Sequence, residues 1–288
     1  LCPPSLLARI EALLGVRVTA CRRAHGGYTP ATRLVCRTEK GSFFVKAGST
    51  PMTAGALRRE AHAYDIIRGP FVPELIAWED DDTTPILVTE DLSHAQWPPP
   101  WDGQLVDRAL AQVETMHATT APLRTFDETI RMRGTSWETV AEDPHAFLSL
   151  RLAEPAWLDA ALPTLIDYET RCPTHGDSLT HFDLRSDNMC LTDDRTLFID
   201  WNCACVGNPK LDLGFWLPSL SYEGGPDPHE VLPDAPSVAA FVAGYFAANA
   251  GLAVIPDAPR VRVVQRQQLE TALPWVVRAL DLPPPTSS

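Results

Sequence analysis

The reading of this chain turns on His181-Phe182-Asp183-Leu184-Arg185-Ser186-Asp187-Asn188, followed shortly by Leu197-Phe198-Ile199-Asp200-Trp201. Apolar residues border both pieces: Leu179 before the first, Met189, Cys190 and Leu191 after it, and Leu197, Phe198 and Ile199 within the second. Each piece reads as loop chemistry held by short buried strands, with Asp193-Asp194 as a hairpin turn between them. Asp183, Asn188 and Asp200 would then converge at one edge of a small sheet. A carboxylate, an amide oxygen and a second carboxylate are hard donors that suit Mg2+, with one carboxylate left to handle a hydroxyl proton. Such a set serves phosphoryl transfer from a nucleotide. The plainer alternative is a buried strand–turn–strand whose acids merely cap turns. It loses weight because further motifs fall in order around this stretch.

H-x-D-x-x-x-x-N followed by an I-D-W turn resembles the aminoglycoside phosphotransferase family, the antibiotic- and small-molecule-kinase branch of the protein-kinase-like fold. Protein kinases carry H-R-D-L-x-x-x-N and then D-F-G at the matching places. The resemblance implies an α+β, bilobal fold with a small β-rich N-lobe and a larger, mainly helical C-lobe. It assigns Asp183 to the acceptor hydroxyl, and Asn188 and Asp200 to Mg2+. Arg185 takes the place of the lysine of protein-kinase catalytic loops. It could touch the γ-phosphate as charge develops, or simply be a solvated salt-bridging arginine.

A chain of 288 residues with 45% hydrophobic content can bury one large core or two lobes. A net charge of −13 argues against a nucleic-acid partner, since the phosphate backbone demands basic patches. It suits a cationic substrate, and it also suits plain solubility. The seven cysteines are odd in number and scattered, so a full disulfide framework is excluded and a reducing, cytoplasmic setting is expected. Cys203-Ala-Cys205 lacks zinc-type spacing. No apolar run reaches membrane-spanning length and no signal peptide is visible. The chain opens at Leu1, so a short natural N-terminus is expected to precede it.

From the start, Ser5 to Leu14 reads as an amphipathic helix with Ser5 as its cap. Strands are expected around Val16–Arg22, Thr32–Arg37 and Ser42–Lys46. The turn between the first two, His25-Gly26-Gly27-Tyr28-Thr29, carries adjacent glycines that let backbone amides approach an anion closely. It departs from G-x-G-x-x-G, and by itself it is an ordinary hairpin. By resemblance, Gly26 and Gly27 lie in the flap over the nucleotide phosphates. Lys46 ends a hydrophobic strand, where a lysine usually snorkels to solvent. The resemblance instead sets it on the α- and β-phosphates, steadied by a helix glutamate. Leu57, Glu60, Tyr64 and Ile67 share one face of a helix over 57–67. An acid on an apolar face is expensive unless paired, and Lys46 is the partner expected for Glu60.

Pro70 to Trp78 and Ile86 to Thr89 read as two more strands. By resemblance, the backbone near Thr89 and Asp91 is the inter-lobe hinge that hydrogen-bonds the purine. The N-lobe would span 1–91 and bind nucleotide. The C-lobe, 92–288, would hold the catalytic loop, the metal site and the acceptor pocket. Helices are expected over Gln104–Ala118, Trp137–Leu152, Ala156–Arg171, Ser237–Ala250 and Arg260–Leu280. His117 ends the first of these and is read as a structural histidine. Gly207-Asn208-Pro209-Lys210-Leu211-Asp212-Leu213 resembles the family's G-x-P-x-x-D-L segment, in which the aspartate supports the catalytic-loop backbone. A helix N-terminal acid favoured by the dipole is compatible with that.

Two decoys precede the core. His175-Gly176-Asp177 imitates a family H-G-D, but the fifth residue after Asp177 is Phe182, not Asn, so His181 takes the assignment. Gly176-Asp177-Ser178-Leu179 spells the signature of a serine esterase, with Ser178 as nucleophile. Esterases of that kind carry the serine near the chain start and Asp-x-x-His far downstream. Here the serine is late, and Asp91 to His94 lies upstream.

The resulting expectation is a Mg2+-dependent O-phosphotransferase that moves the γ-phosphoryl group of ATP or GTP to a hydroxyl of a small, cationic molecule. An antibiotic, either an aminoglycoside or a basic peptide, comes first. A metabolic kinase for a sugar, amino-sugar or amino alcohol is the alternative, and the esterase is a remote third. A protein acceptor is disfavoured because no A-P-E segment follows Asp200. Partners would be nucleotide and acceptor alone, with no nucleic acid or membrane, in a monomer or weak dimer.

Overall fold

The computed structural model of the protein describes residues 2–24, 26–27, 29–130, 136–256 and 258–286. In chain order its elements begin with α1 (Pro4–Leu14), β1 (Val18–Arg23), β2 (Thr32–Thr38), β3 (Gly41–Ala47), α2 (Pro51–Ile66), β4 (Leu75–Glu79) and β5 (Ile86–Glu90). Then come α3 (Gly103–His117), α4 (Phe126–Thr129), α5 (Trp137–Glu142), α6 (His145–Ser149), α7 (Pro155–Thr170) and β6 (Ser178–Thr180). The rest is β7 (Met189–Leu191), β8 (Thr196–Phe198), β9 (Cys205–Gly207), α8 (Pro209–Tyr222), α9 (Pro228–Val231), α10 (Pro236–Ala250) and α11 (Val261–Ala279). The architecture is the α+β, protein-kinase-like fold.

The chain divides into two compact units, the first made of 1–98, 121–123 and 187–204. Its centre is a five-stranded sheet in the order β1-β2-β3-β5-β4, antiparallel throughout. Side chains alternate across a pleated strand, so Leu34, Cys36, Val45, Ala47, Ile86 and Val88 form one apolar face, covered by Leu6 and Ile10 of α1. Helix α1 carries Pro4 in its first turn, where a missing N–H costs nothing, and stops at Gly15 in the left-handed conformation (φ 62°). Ser5 therefore lies inside the helix and does not cap it. The opposite face of the sheet receives α2. That helix starts well before Leu57, because Thr50 and Thr53 satisfy each other's backbone donors in a capping box.

The hairpin β7–β8 also belongs to this unit. It pairs Met189 with Phe198, Cys190 with Leu197 and Leu191 with Thr196. The Phe198 N–H donates to the Phe71 carbonyl (2.8 Å), Gln96 bridges Leu191, and Leu92 packs with Cys190 and Leu197. These contacts tie 92–98 and 187–204 into the same compact unit as the sheet.

The second unit is made of 99–120, 124–186 and 205–288. Helix α10 is its axis, apolar all round, with Val238, Ala239, Ala240, Val242, Ala243 and Ala247 buried. Small residues allow close approach: a Cβ on Gly214 of α8 would lie 2.5 Å from Val238. Trp137, Phe147, Trp157, Leu165, Leu269 and Trp275 complete the core. The single helix expected over Trp137–Leu152 is two short ones, because Pro144 has no N–H and excludes the helical conformation at Asp143 (ψ 95°). Strand β6 pairs with β9.

Candidate active site

Lys46 sits mid-sheet, between Arg33 of β2 and Leu87 of β5, and is buried. Its Nζ lies 2.7 Å from Glu60 Oε2 and 2.9 Å from Asp200 Oδ1. Glu60 is on the buried face of α2, so the expected pair is made, and Asp200 joins it as a second carboxylate. Burial works against the ammonium, but the charges of Glu60 and then Asp200 hold Lys46 above its ordinary pKa. Burial also opposes ionisation of Asp200. Lys46 and an amide hydrogen bond from Asn202 (2.6 Å) outweigh it and bring the carboxyl down to about 2. For Glu60, burial dominates and lifts the carboxyl to about 7, with Lys46 pulling it down and Asp200 adding to the rise. The group thus carries one cation against two acids.

The hairpin decides where Asp200 stands relative to Asn188. Register runs Met189↔Phe198, and the Ile199 N–H donates to the Asn188 carbonyl at 2.9 Å, so the two residues flank the same end of the ladder. Asp200 holds a left-handed conformation (φ 63°, ψ 51°), tolerable for aspartate and placed where strain often marks a working residue. An amide and a carboxylate fit Mg2+, which is held by one or two protein oxygens and completes its shell with water and phosphate. Among the described residues no group of three or more His, Cys, Asp or Glu could hold a metal. Of the three residues expected to converge at one sheet edge, Asn188 and Asp200 do so. Asp183 belongs to the other compact unit.

Gly26 and Gly27 adopt positive φ (112° and 74°), as their turn requires; His25 and Tyr28 lie outside the described residues. A Cβ on Gly27 would meet the Arg33 guanidinium at 2.5 Å. Arg33 donates to the Thr29 and Ala31 carbonyls (3.0 and 3.2 Å) and lowers the pKa of both Glu60 and Asp200. The sequence reading missed Arg33. Its one signal was position on the Lys46 face, which becomes visible only once the β2–β3 register is known. Thr89 is buried opposite Phe44, and the Asp91 carboxylate takes up the Ser42 hydroxyl (2.6 Å) and the Ser93 N–H (3.0 Å).

In the second unit, Asp212 is fully buried in the first turn of α8 and accepts three hydrogen bonds. The His181 N–H (2.9 Å) and His117 Nε2 (2.9 Å) reach Oδ2, and the Phe182 N–H (2.7 Å) reaches Oδ1. His117 is thus a satisfied structural histidine, and Asp212 supports the loop backbone. Phe182 has φ 53° and packs at a tilt against Phe126 (4.7 Å between centroids, 50° between ring planes). His181 is buried, and its Nδ1 accepts the Asp183 N–H at 3.2 Å, which puts the ring proton on Nε2. Asp183 Oδ1 is 3.1 Å from Arg185 Nη1, with both side chains partly exposed.

Glu223 is the second residue to which sequence reasoning, reading it only as part of a Gly/Pro-rich loop, assigned no role. Its Oε1 accepts the Ser186 hydroxyl (2.6 Å), from the His181–Asn188 stretch, and its Oε2 accepts Trp101 Nε1 (2.9 Å). It caps the C-terminus of α8, where the helix dipole disfavours a negative charge. No local pattern pointed to it, because its partners are remote in sequence. Of the two decoy motifs, His175 and Asp177 are exposed, and Ser178 opens β6 with its backbone paired to Gly207.

The sequence and the fold are similar to those of known proteins. The model of the APH family, described as the phosphotransferase enzyme family, matches residues 20–263. The chain belongs to this family, whose members are phosphotransferases of the kinase type. Among solved structures it is similar to a thermostable mutant of aminoglycoside phosphotransferase APH(4)-Ia, in ternary complex with AMP-PNP and hygromycin B. That likeness has a TM-score of 0.60 at 15% identity and covers 96% of this chain and 99% of that one. Spectinomycin phosphotransferase APH(9)-Ia, with ADP and spectinomycin, gives 0.58 at 13% identity, over 96% and 98% of the two chains. Choline kinase LicA from Streptococcus pneumoniae gives 0.57 at 14% identity, over 95% and 96%. Likeness at such identity concerns the fold. No protein of curated function matches the chain by sequence. Among the described residues no helix is long and apolar enough to cross a membrane.

Proposed function

We propose that the protein transfers the γ-phosphoryl group of ATP or GTP to a hydroxyl of a small cationic molecule, in a Mg2+-dependent reaction. The observation that carries the reading is the Lys46–Glu60–Asp200 cluster with Asn188 at the same hairpin end. Lys46 would bind the α- and β-phosphates, oriented by Glu60. Asn188 and Asp200 would hold Mg2+, which when bound would supply positive charge against the phosphates. Asp183 would orient the acceptor hydroxyl and take its proton late, since a loose transition state asks little early base strength. Arg185, 3.1 Å from Asp183, would hold that carboxylate in place and meet the transferring group as its charge develops. Gly26, Gly27 and the backbone near Thr89 and Asp91 would contact the nucleotide. Residues 1–91 would form the nucleotide-binding lobe and 92–288 the lobe carrying catalytic loop and acceptor pocket. Seven cysteines free of disulfides support a cytoplasmic setting.

A cationic antibiotic is the first acceptor class, supported by the net charge of −13 and by the aminoglycoside and spectinomycin phosphotransferases among the structural neighbours. An amino alcohol is the second, supported by the choline kinase. A coupled nucleotide-consumption assay over aminoglycosides, basic peptides, amino-sugars and amino alcohols separates them. In the same preparation, Asp200→Ala should abolish turnover and the extra thermal stabilisation that Mg2+ gives beyond nucleotide alone. Ligand at a hundred times its Kd stabilises by about 2.7 kcal/mol, enough to read in a melting curve. An Asp200→Ala protein with the full Mg2+-dependent shift would remove Asp200 from the metal site.

A further inference from the structure

We propose that Cys21 and Cys36 form a redox-active thiol pair, a disulfide-forming site whose oxidant is a small-molecule disulfide of the glutathione class. The two residues stand directly opposite each other in the β1–β2 ladder, and their sulfurs are 2.9 Å apart. Opposed residues in an antiparallel pair have Cα atoms about 4.5–5.5 Å apart, inside the roughly 4.4–6.8 Å a disulfide spans. Closing the contact to a bond of about 2.05 Å moves the sulfurs by less than one ångström and leaves the ladder intact.

The pair is asymmetric in a way that orders the chemistry. Cys21 lies partly buried on the edge strand, at the rim of the apolar cluster, whereas Cys36 is fully buried in it with Leu34, Val45 and Val88. Burial first, and then the hydrogen bond with Cys21, push the Cys36 thiol far up, so it does not begin the reaction. The Cys21 thiolate attacks one sulfur of the small disulfide. That S–S bond breaks, a mixed disulfide forms on Cys21, and one small thiolate leaves. Cys36 gives up its proton to that thiolate and attacks Cys21 Sγ, expelling the second small thiolate, which takes from solvent the proton that Cys21 released on ionising. Two protein thiols are oxidised and one small disulfide is reduced to two thiols. Cys2 stands beside Cys21, which after burial helps raise the Cys2 thiol, and it is held to the Pro3 carbonyl at 3.6 Å. The bridge would close the loop that carries Gly26 and Gly27, tying the edge strand to β2 without involving Lys46, which lies on the opposite face.

The inference is independent of the phosphotransfer reading and is tested without an acceptor. The full chain is incubated with glutathione disulfide, then examined by intact mass, peptide mapping and thermal melting. Expected are a loss of two hydrogens, a cross-linked Cys21–Cys36 peptide, a melting point higher by on the order of 5 °C, and reversal by dithiothreitol. Cys36→Ala should trap glutathione on Cys21 as a stable adduct. Cys21→Ser, on the edge strand where the fold loses little, should give neither adduct nor bridge, and Cys2→Ser should still close. An unchanged mass, a persistent adduct on the wild-type chain, or a bridge mapped to Cys2 or to any cysteine besides this pair would overturn the assignment.

Discussion

Two aspartates, one in each compact unit, show how differently the fold uses a single residue type. Asp200 in the first unit keeps about a quarter of its side chain exposed (23%) and shares one oxygen between Lys46 and Asn202. Asp212 in the second unit is fully enclosed, with both oxygens committed to the His181 and Phe182 backbone and the His117 ring. One is an ionised group at an accessible hairpin end, in a cluster where acids outnumber the cation. The other is a structural pin. The difference teaches that an aspartate's task follows from how many of its lone pairs the fold occupies, and not from its charge.

The sharpest way to extend that contrast is Asp183, which belongs with the exposed type. Asp183→Asn keeps size and most hydrogen bonding but removes the proton acceptor. Turnover should fall about 10²–10⁴-fold, with nucleotide affinity and melting point close to wild type. Near-normal turnover would break the mechanism. Loss of activity together with a collapsed melting curve would reassign Asp183 to the structural type.

Asp212→Ala should do the reverse. It strands the His181 and Phe182 backbone N–H groups and the His117 ring, at roughly 3 kcal/mol or more, so the melting point should drop on the order of 5 °C. A variant that melts like wild type yet turns over poorly would erase the distinction between the two aspartates.

A buried carboxylate in the second unit adds a pH dimension. Burial pushes Glu169 up to about 8, and the Trp137 N–H at 2.8 Å only partly compensates. Its folded pKa exceeds the unfolded value of about 4.3, so the folded state binds the extra proton between those values. Stability from this group is therefore full below about pH 4 and declines by roughly 1.4 kcal/mol per pH unit up to about pH 8. Glu169→Gln should flatten that slope and melt higher than wild type at pH 8. Parallel melting-point-versus-pH curves for the two proteins would show that Glu169 does not titrate this way.

Glu223 offers the smallest effect. Glu223→Gln keeps an acceptor for Ser186 but cannot accept from both Ser186 and Trp101. A lost hydrogen bond near 1 kcal/mol corresponds to about fivefold, expected in turnover with the nucleotide KM unchanged. A change in nucleotide KM alone would place Glu223 outside the catalytic-loop support.

Much of this was legible in the residues. Short runs of apolar, β-branched and aromatic residues around 32–37, 42–46 and 86–89 announce strands, because such side chains fit a pleated, buried surface. Glu60 on an apolar helix face announces a buried partner, because an unpaired acid there is too costly. His181 to Asn188 and Ile199 to Trp201 carry the family pattern in side chains, which is why sequence alone determined the fold class and the candidate residues. Other features depend on contacts between segments remote in sequence. Strand register put Arg33 on the Lys46 face and Cys21 against Cys36. Hairpin pairing aligned Asn188 with Asp200, and packing brought Glu223 to Ser186 and Trp101. Pairing and packing join residues tens of positions apart, and no local propensity encodes which of them meet; tertiary structure alone decided it.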